Sequence, residues 1–244
     1  MNFLITFFNT VLYQPLLNIL ILLYAYLPFH DFGIAIIVFT LIIRLALSPL
    51  SLSAARSQKV MAELQPKIKE IQKKYKEDAQ KQSQALLELY QKEKINPFSS
   101  LLPLLLQLPI FIALYQIFLN GIGENILGPN LYSFVPHFAA IELTFLGAIN
   151  LSKPSFLLAF LAGVFQFIQS KISFSMTKSS GGKEDGKEKF AQIMQTQVIY
   201  VLPFITFFFL LHLGSLISLY WATSSLFSCV EQYIIKAQSV KCKV

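Results

Sequence analysis

Charge is what this chain has least of. Only 14% of its 244 residues are Asp, Glu, Lys or Arg, where soluble domains carry about a quarter, and that shortage excludes an ordinary soluble enzyme domain. Cysteine is scarce as well. Cys229 lies in an apolar stretch and Cys242 in the tail, without CxxC or Cys/His spacing, so neither a disulfide framework nor a zinc site is expected. The histidines His30, His137 and His212 are scattered, and HExxH, a Gly-rich phosphate loop and GxSxG are all missing. No metal, no cofactor and no enzymatic chemistry are expected. Outside the apolar blocks no stretch exceeds the roughly 40 residues below which a fold seldom stands alone, so a large extramembrane domain is not expected either.

What is abundant is hydrocarbon. Hydrophobic residues make up 55% of the chain, Phe alone contributes 23, and the mean hydropathy is +0.57. Several blocks reach the roughly 20 residues that a helix needs to cross about 30 Å of lipid. Phe3 to Leu27 is one, but Asn9, Gln14, Pro15 and Asn18 interrupt it and it has no positive n-region of a signal peptide. It reads either as a span or as a helix lying in the interface. Clear spans are expected at about Gly33 to Leu52, Phe98 to Leu119, Ser155 to Phe174, Gln195 to Leu211 and Ser215 to Ile235.

Charge concentrates between them. Arg56 to Lys94 holds ten Lys/Arg and six Asp/Glu, which no bilayer core accepts. Val60, Leu64, Ile68, Ile71 and Tyr75 recur at helical spacing, and Leu86, Leu87, Leu89 and Tyr90 form a second stripe after Asp78, a candidate N-cap. Two amphipathic helices turning near Lys76 to Ala79 would form an antiparallel hairpin. Lys178 to Lys187 reads as a flexible linker, whereas Gly121 to Leu151 has no Lys or Arg at all. Alternating the spans gathers eighteen of twenty Lys/Arg on one side, so the positive-inside rule makes hairpin, linker and C-terminus cytoplasmic. Topology explains most of this basic excess, and no specific nucleic acid is expected as a partner.

One residue breaks the pattern. Arg44 stands near the middle of the first clear span, where insertion scales put a guanidinium at about 2.5–3.5 kcal/mol. Either a structural ion pair offsets that, with Glu231 as the only acid inside another apolar block, or the bundle holds a hydrated pocket. Thr40 and Ser48 share the helix face of Arg44. Gln107, Gln169, Gln195, Gln197 and Tyr200 are the polar residues that other spans offer to such a pocket. A hydrated Arg44 cavity also suits an anion channel or transporter, although no embedded acids or repeated broken helices accompany it.

Beside these features stand longer motifs: Arg44-Leu-Ala-Leu-Ser-Pro-Leu, Gln58-Lys-Val-Met, Leu64-Gln-Pro-Lys-Ile, Leu89-Tyr-Gln-Lys-Glu-Lys-Ile-Asn-Pro-Phe and Leu102-Pro-Leu-Leu-Leu-Gln-Leu-Pro-Ile-Phe-Ile-Ala-Leu-Tyr. The chain resembles the YidC/Oxa/Alb family of membrane protein insertases, from Tyr13-Gln-Pro-Leu to Tyr220-Trp221, most specifically from Asn96 to Tyr115. The resemblance implies an all-α integral membrane protein, a five-span bundle with an N-terminal interfacial amphipathic helix and a cytoplasmic helical hairpin. Its parts would be the interfacial helix 1–28, spans 29–55, 96–120, 154–175, 193–212 and 213–236, the hairpin 56–95, an outer loop 121–153, a linker 176–192 and a tail 237–244. It further implies a cytoplasm-open groove with Arg44 at its centre and Gln107 beside it, taking nascent membrane proteins as substrates, alone or with the Sec translocon and ribosome, in a bacterial plasma membrane. It looks like the compact form, without the large extracytoplasmic domain of some members. Gly214-Ser215-Leu216 departs from the family's Pro-Ser/Ala-Gly, so a different turn is expected there, and the short tail weakens the case for ribosome contact.

Overall fold

Proline and helix ends divide the chain into long helices. The computed structural model describes residues 2–27, 30–93, 102–119, 130–138, 141–177 and 199–241. Helix α1 (Asn2–Phe8) passes through a π-helical turn, Asn9–Tyr13, into α2 (Gln14–Tyr26). Pro15 explains the turn, because its missing N–H leaves the preceding α-ladder one donor short. Helix α3 (Phe32–Lys74) follows, then α4 (Ala79–Lys92), α5 (Leu102–Leu119), a two-stranded antiparallel ribbon of β1 (Thr144–Phe145) and β2 (Ile149–Asn150), α6 (Phe156–Thr177), α7 (Ile199–Leu210) and α8 (Ser215–Lys241). The chain is an α-helical membrane protein. Among the described residues, Ile5–Tyr26, Phe32–Lys74 and Phe156–Ser173 are long and apolar enough to cross a membrane, and Gln107–Leu119 and Ile199–Leu210 are shorter apolar helices.

Helix α3 carries both the first clear span and the first charged arm without a break. Its 43 residues extend about 64 Å at 1.5 Å per residue, roughly twice the hydrocarbon thickness. Pro49 and Pro66 lie inside it. The turn 75–77 ends α3, and Asp78 caps α4 by accepting the Lys81 N–H at 3.0 Å.

Two cores hold the helices. The larger joins Leu17, Leu20 and Ile21 of α2 to Phe32, Ile36 and Phe39 of α3, Leu114 and Ile117 of α5, and Tyr220 of α8. The smaller sets Ala159 and Ala162 of α6 against Leu210, Ile217 and Ala222. Small residues suit that seam, because lipid-embedded helices associate by close packing and not by the hydrophobic effect. Helix α8 packs most extensively on α6 and next on α3, and it buries Ser218, Ser224, Ser225 and Ser228 among these neighbours. Outside, Leu105, Leu108, Ile112, Phe204, Ile205 and Phe208 are exposed, as a surface facing hydrocarbon requires.

The end of the bundle that carries the β-ribbon is tied by polar contacts. Asp31 is buried; its Oδ1 caps α3 by accepting the Ile34 N–H at 2.9 Å, and its Oδ2 accepts the Leu146 N–H at the tip of the β-ribbon. Gly33 makes room for that ribbon, since a Cβ there would stand 2.3 Å from Phe145 Cδ2. Asn18 of α2 donates to Asn130 O at 2.9 Å and accepts the Tyr132 N–H at 2.7 Å. The turn before α8, at Gly214-Ser215-Leu216, is closed by Ser215, whose N–H and hydroxyl both donate to the Lys153 carbonyl. The Leu216 N–H adds a bond to Leu151 O at 3.1 Å.

Candidate functional site

Helices α3 and α8 run side by side in the same direction, and two polar pairs set their register. Arg44 Nε donates to Ser224 Oγ at 2.8 Å, and Arg44 Nη2 donates to the same oxygen. Seven residues further along each helix, Ser51 Oγ donates to Glu231 Oε1. Seven residues are about 10 Å of helix, so Glu231 lies two turns from the arginine and pairs with a serine there. Among the described residues Arg44 has no carboxylate within 4.0 Å. The half-buried guanidinium thus has no carboxylate in direct contact and feels Glu231 only from a distance, and away from bulk water its charge acts several-fold more strongly than on an exposed surface.

A second link approaches from α5. Gln107 Nε2 donates to the Tyr220 hydroxyl, and Tyr220 stands one helical turn before Ser224 on α8. Two hydrogen-bonded pairs, Gln107 with Tyr220 and Arg44 with Ser224, therefore lie one turn apart along α8. Of the other groove candidates, Thr40 is fully buried and donates to its own helix at Ile36 O, 2.6 Å away. Ser48 is half-exposed one turn on from Arg44. Gln169 is half-exposed on α6 and is not brought to either pair, while Gln195 and Gln197 lie outside the described residues.

Sequence reasoning missed Ser224 and Gln166. The Gln166 Oε1 accepts from the indole N–H of Trp221 at 2.9 Å, and Trp221 meets Phe111 edge to face at 5.4 Å. A glutamine three residues from Gln169 on a helix is a signal, but only the register of α6 on α8 says which of the two faces inward. Among the described residues no group of three or more His, Cys, Asp or Glu is placed to hold a metal ion. Cys229 is buried, with its thiol directed at Phe165 O, 3.5 Å away.

The hairpin is held more lightly. Lys67 Nζ meets Glu93 Oε1 at 2.7 Å, and Gln82 Nε2 donates to Gln72 O at 3.4 Å. Hydrogen bonding and charge from Lys67 hold the Glu93 carboxyl below the usual carboxylate range. The Lys81 backbone N–H, then its side chain, does the same for Asp78. Helix α4 buries none of its side chains, so its apolar Leu87 remains exposed.

Comparison with known proteins gives the arrangement its relatives. Residues 23–242 match the family described as 60Kd inner membrane protein. The chain is 35% identical over 221 residues to a membrane protein insertase YidC of Cellvibrio japonicus (strain Ueda107), covering 88% of this chain and 35% of the relative. It is 34% identical over 205 residues to a membrane protein insertase YidC of Francisella tularensis subsp. novicida (strain U112), covering 84% and 32%. The chain spans about a third of the length of these relatives.

Proposed function

The chain belongs to the 60Kd inner membrane protein family, and on that premise we propose that it is a membrane protein insertase. It takes small or single-span membrane proteins as substrates and carries a hydrophilic, often acidic, segment across the bilayer through a groove centred on Arg44. The observation that carries this reading is a guanidinium with no carboxylate in salt-bridge contact among the described residues. Arg44 sits within a membrane-length apolar stretch, is held by a neutral hydroxyl and keeps a charge available for something else.

The physics then runs in two steps. A groove open to the cytoplasm shortens the dry path of about 30 Å, and Arg44 attracts an acidic segment with Coulomb energy several-fold larger than in bulk water. The substrate's apolar segment partitions into lipid, gaining about 0.3–0.6 kcal/mol for each strongly apolar residue. The groove lowers the barrier, and partition sets the direction. Neither step needs nucleotide or covalent chemistry.

The hairpin and C-terminus lie on the cytoplasmic side in this reading, which their Lys/Arg excess supports. Residues 1–28 lie along the outer interface. Asn18, midway along Ile5–Tyr26, touches the outer segment at Asn130 and Tyr132, whereas the midpoint of a crossing helix would sit deep in the bilayer. The hairpin guides incoming chains, and insertion proceeds alone or beside the Sec translocon, with ribosome contact confined to cytoplasmic basic surface.

Sealed liposomes containing the protein test the proposal. A small single-span protein with an acidic outer segment is expected to become protected from external protease. No protection, together with permeability to anions, would replace the insertase by a channel.

A further inference from the structure

Arginine offers five N–H donors in a fixed fork, and the way Arg44 divides them is informative. Its Nε–H and one Nη2–H belong to the side edge of the guanidinium, and both go to Ser224 Oγ. The end edge, Nη1 with the remaining Nη2–H, has no partner among the described residues. That end edge is the one that matches both oxygens of a carboxylate in parallel bonds. Ser224 Oγ accepts from Arg44, and one turn back on α8 the Tyr220 oxygen receives Gln107 Nε2. The serine is buried, so it is itself held in place.

We infer that Ser224 is the positioning residue of the groove charge: it clamps the side edge of Arg44 against α8 and turns the end edge toward an incoming carboxylate. The inference rests on the insertase reading and deepens it, because it ties the preference for acidic segments to a hydroxyl on a different helix. Without that hydroxyl the guanidinium still carries its charge but loses its fixed plane. The defect then falls on carboxylate substrates and not on insertion in general.

The sequence contains two arginines, Arg44 and Arg56, so Arg56→Lys leaves Arg44 as a single reporter. The full chain, in lipid nanodiscs and with guanidinium-15N arginine, is expected to show one slowly exchanging Nε–H signal. Ser224→Ala should collapse that protection and Ser224→Thr restore it. A synthetic peptide with an apolar span and an Asp-rich end should shift the Nη signals while leaving Nε bonded. An Nε signal unchanged by Ser224→Ala, or lost when the peptide binds, would overturn the clamp. In the insertion assay, Ser224→Ala should slow an Asp-bearing segment about tenfold, the scale of a lost hydrogen bond to a charged group, with its Asn-substituted twin unaffected. Equal slowing of both twins would reduce Ser224 to a structural role and overturn the inference. If the wild type inserts nothing while the peptide still shifts Nη, the insertase reading falls and the clamp stands.

Discussion

Asp31 and Leu146 are 115 positions apart in the chain, yet the Asp31 carboxylate accepts the Leu146 backbone N–H while it also caps α3 through Ile34. One buried side chain thus fixes both the start of the Arg44 helix and the β-ribbon packed beside it. Leu146 has φ 52 and the neighbouring Gly147 φ 65, so the ribbon's tip is a left-handed turn that this bond helps to hold. Asp31→Ala should cost about 1–2 kcal/mol, the range for a lost N-cap. Asp31→Asn should cost less, because it keeps an acceptor for the Ile34 N–H. Thermal unfolding in detergent checks the order, wild type above Asn above Ala.

Gly33 and Phe145 should be coupled in the opposite sense to a favourable pair. Gly33→Ala places a Cβ 2.3 Å from Phe145 Cδ2 and 2.7 Å from Phe145 Cβ, so the β-ribbon must move and overpacking of about 1–3 kcal/mol is expected. Adding Phe145→Ala removes the ring atoms at the closest contacts and leaves only the 2.7 Å Cβ contact. A double-mutant cycle should therefore show the second substitution hurting less in the Gly33→Ala background than in the wild type.

The chain's single tryptophan, Trp221, makes the α6–α8 contact directly readable. Gln166→Leu leaves the indole N–H without its 2.9 Å partner, and an unmet buried donor costs about 1–3 kcal/mol. Emission should shift to shorter wavelength as the indole loses its polar neighbour. Gln169→Leu, changing a half-exposed residue one turn on, should leave the spectrum in place.

The hairpin should respond to acid with a definite sign. Glu93 and Asp78 have carboxyls held below their ordinary range by Lys67 and Lys81. The contribution of Glu93 to hairpin closure and of Asp78 to the α4 cap is complete above the unfolded carboxylate values of about 4 and is lost as pH falls through the lowered folded ones. Spin labels at Gln72 and Gln82 should report a constant distance from pH 8 to 5 and separation only below about pH 4. Glu93→Gln should remove the Glu93 part of that response.

How much of this was legible in the sequence depended on whether a feature is local. The membrane class follows from composition, and Asp78 was legible as a cap because capping needs only the next three residues. Arg44 stood out because a guanidinium in an apolar run is costly wherever its neighbours lie. Thr40 shares its helix face, yet spacing does not say that a threonine hydroxyl turns back to its own carbonyl, as it does at Ile36. Ser224 was not legible: it is one of several serines in α8, and only the register of α3 on α8 selects it. The unbroken run of α3 was also hidden, because Pro49 and the change to charged residues near Arg56 look like a helix boundary. The helix continues there because the change from apolar to charged side chains leaves the i to i−4 backbone hydrogen bonding as it was.

The charge of Arg44 is the centre of the proposed mechanism, and reversing it on both sides tests it most directly. Sealed proteoliposomes would carry wild-type protein, Arg44→Lys or Arg44→Glu, each offered a single-span substrate with an acidic outer segment and its twin with a basic one. An electrostatic groove predicts protease protection of the acidic substrate by the wild type, much of it by Arg44→Lys and none by Arg44→Glu, with the basic twin favoured by Arg44→Glu over the wild type. Equal protection of both substrates by all three proteins would contradict it.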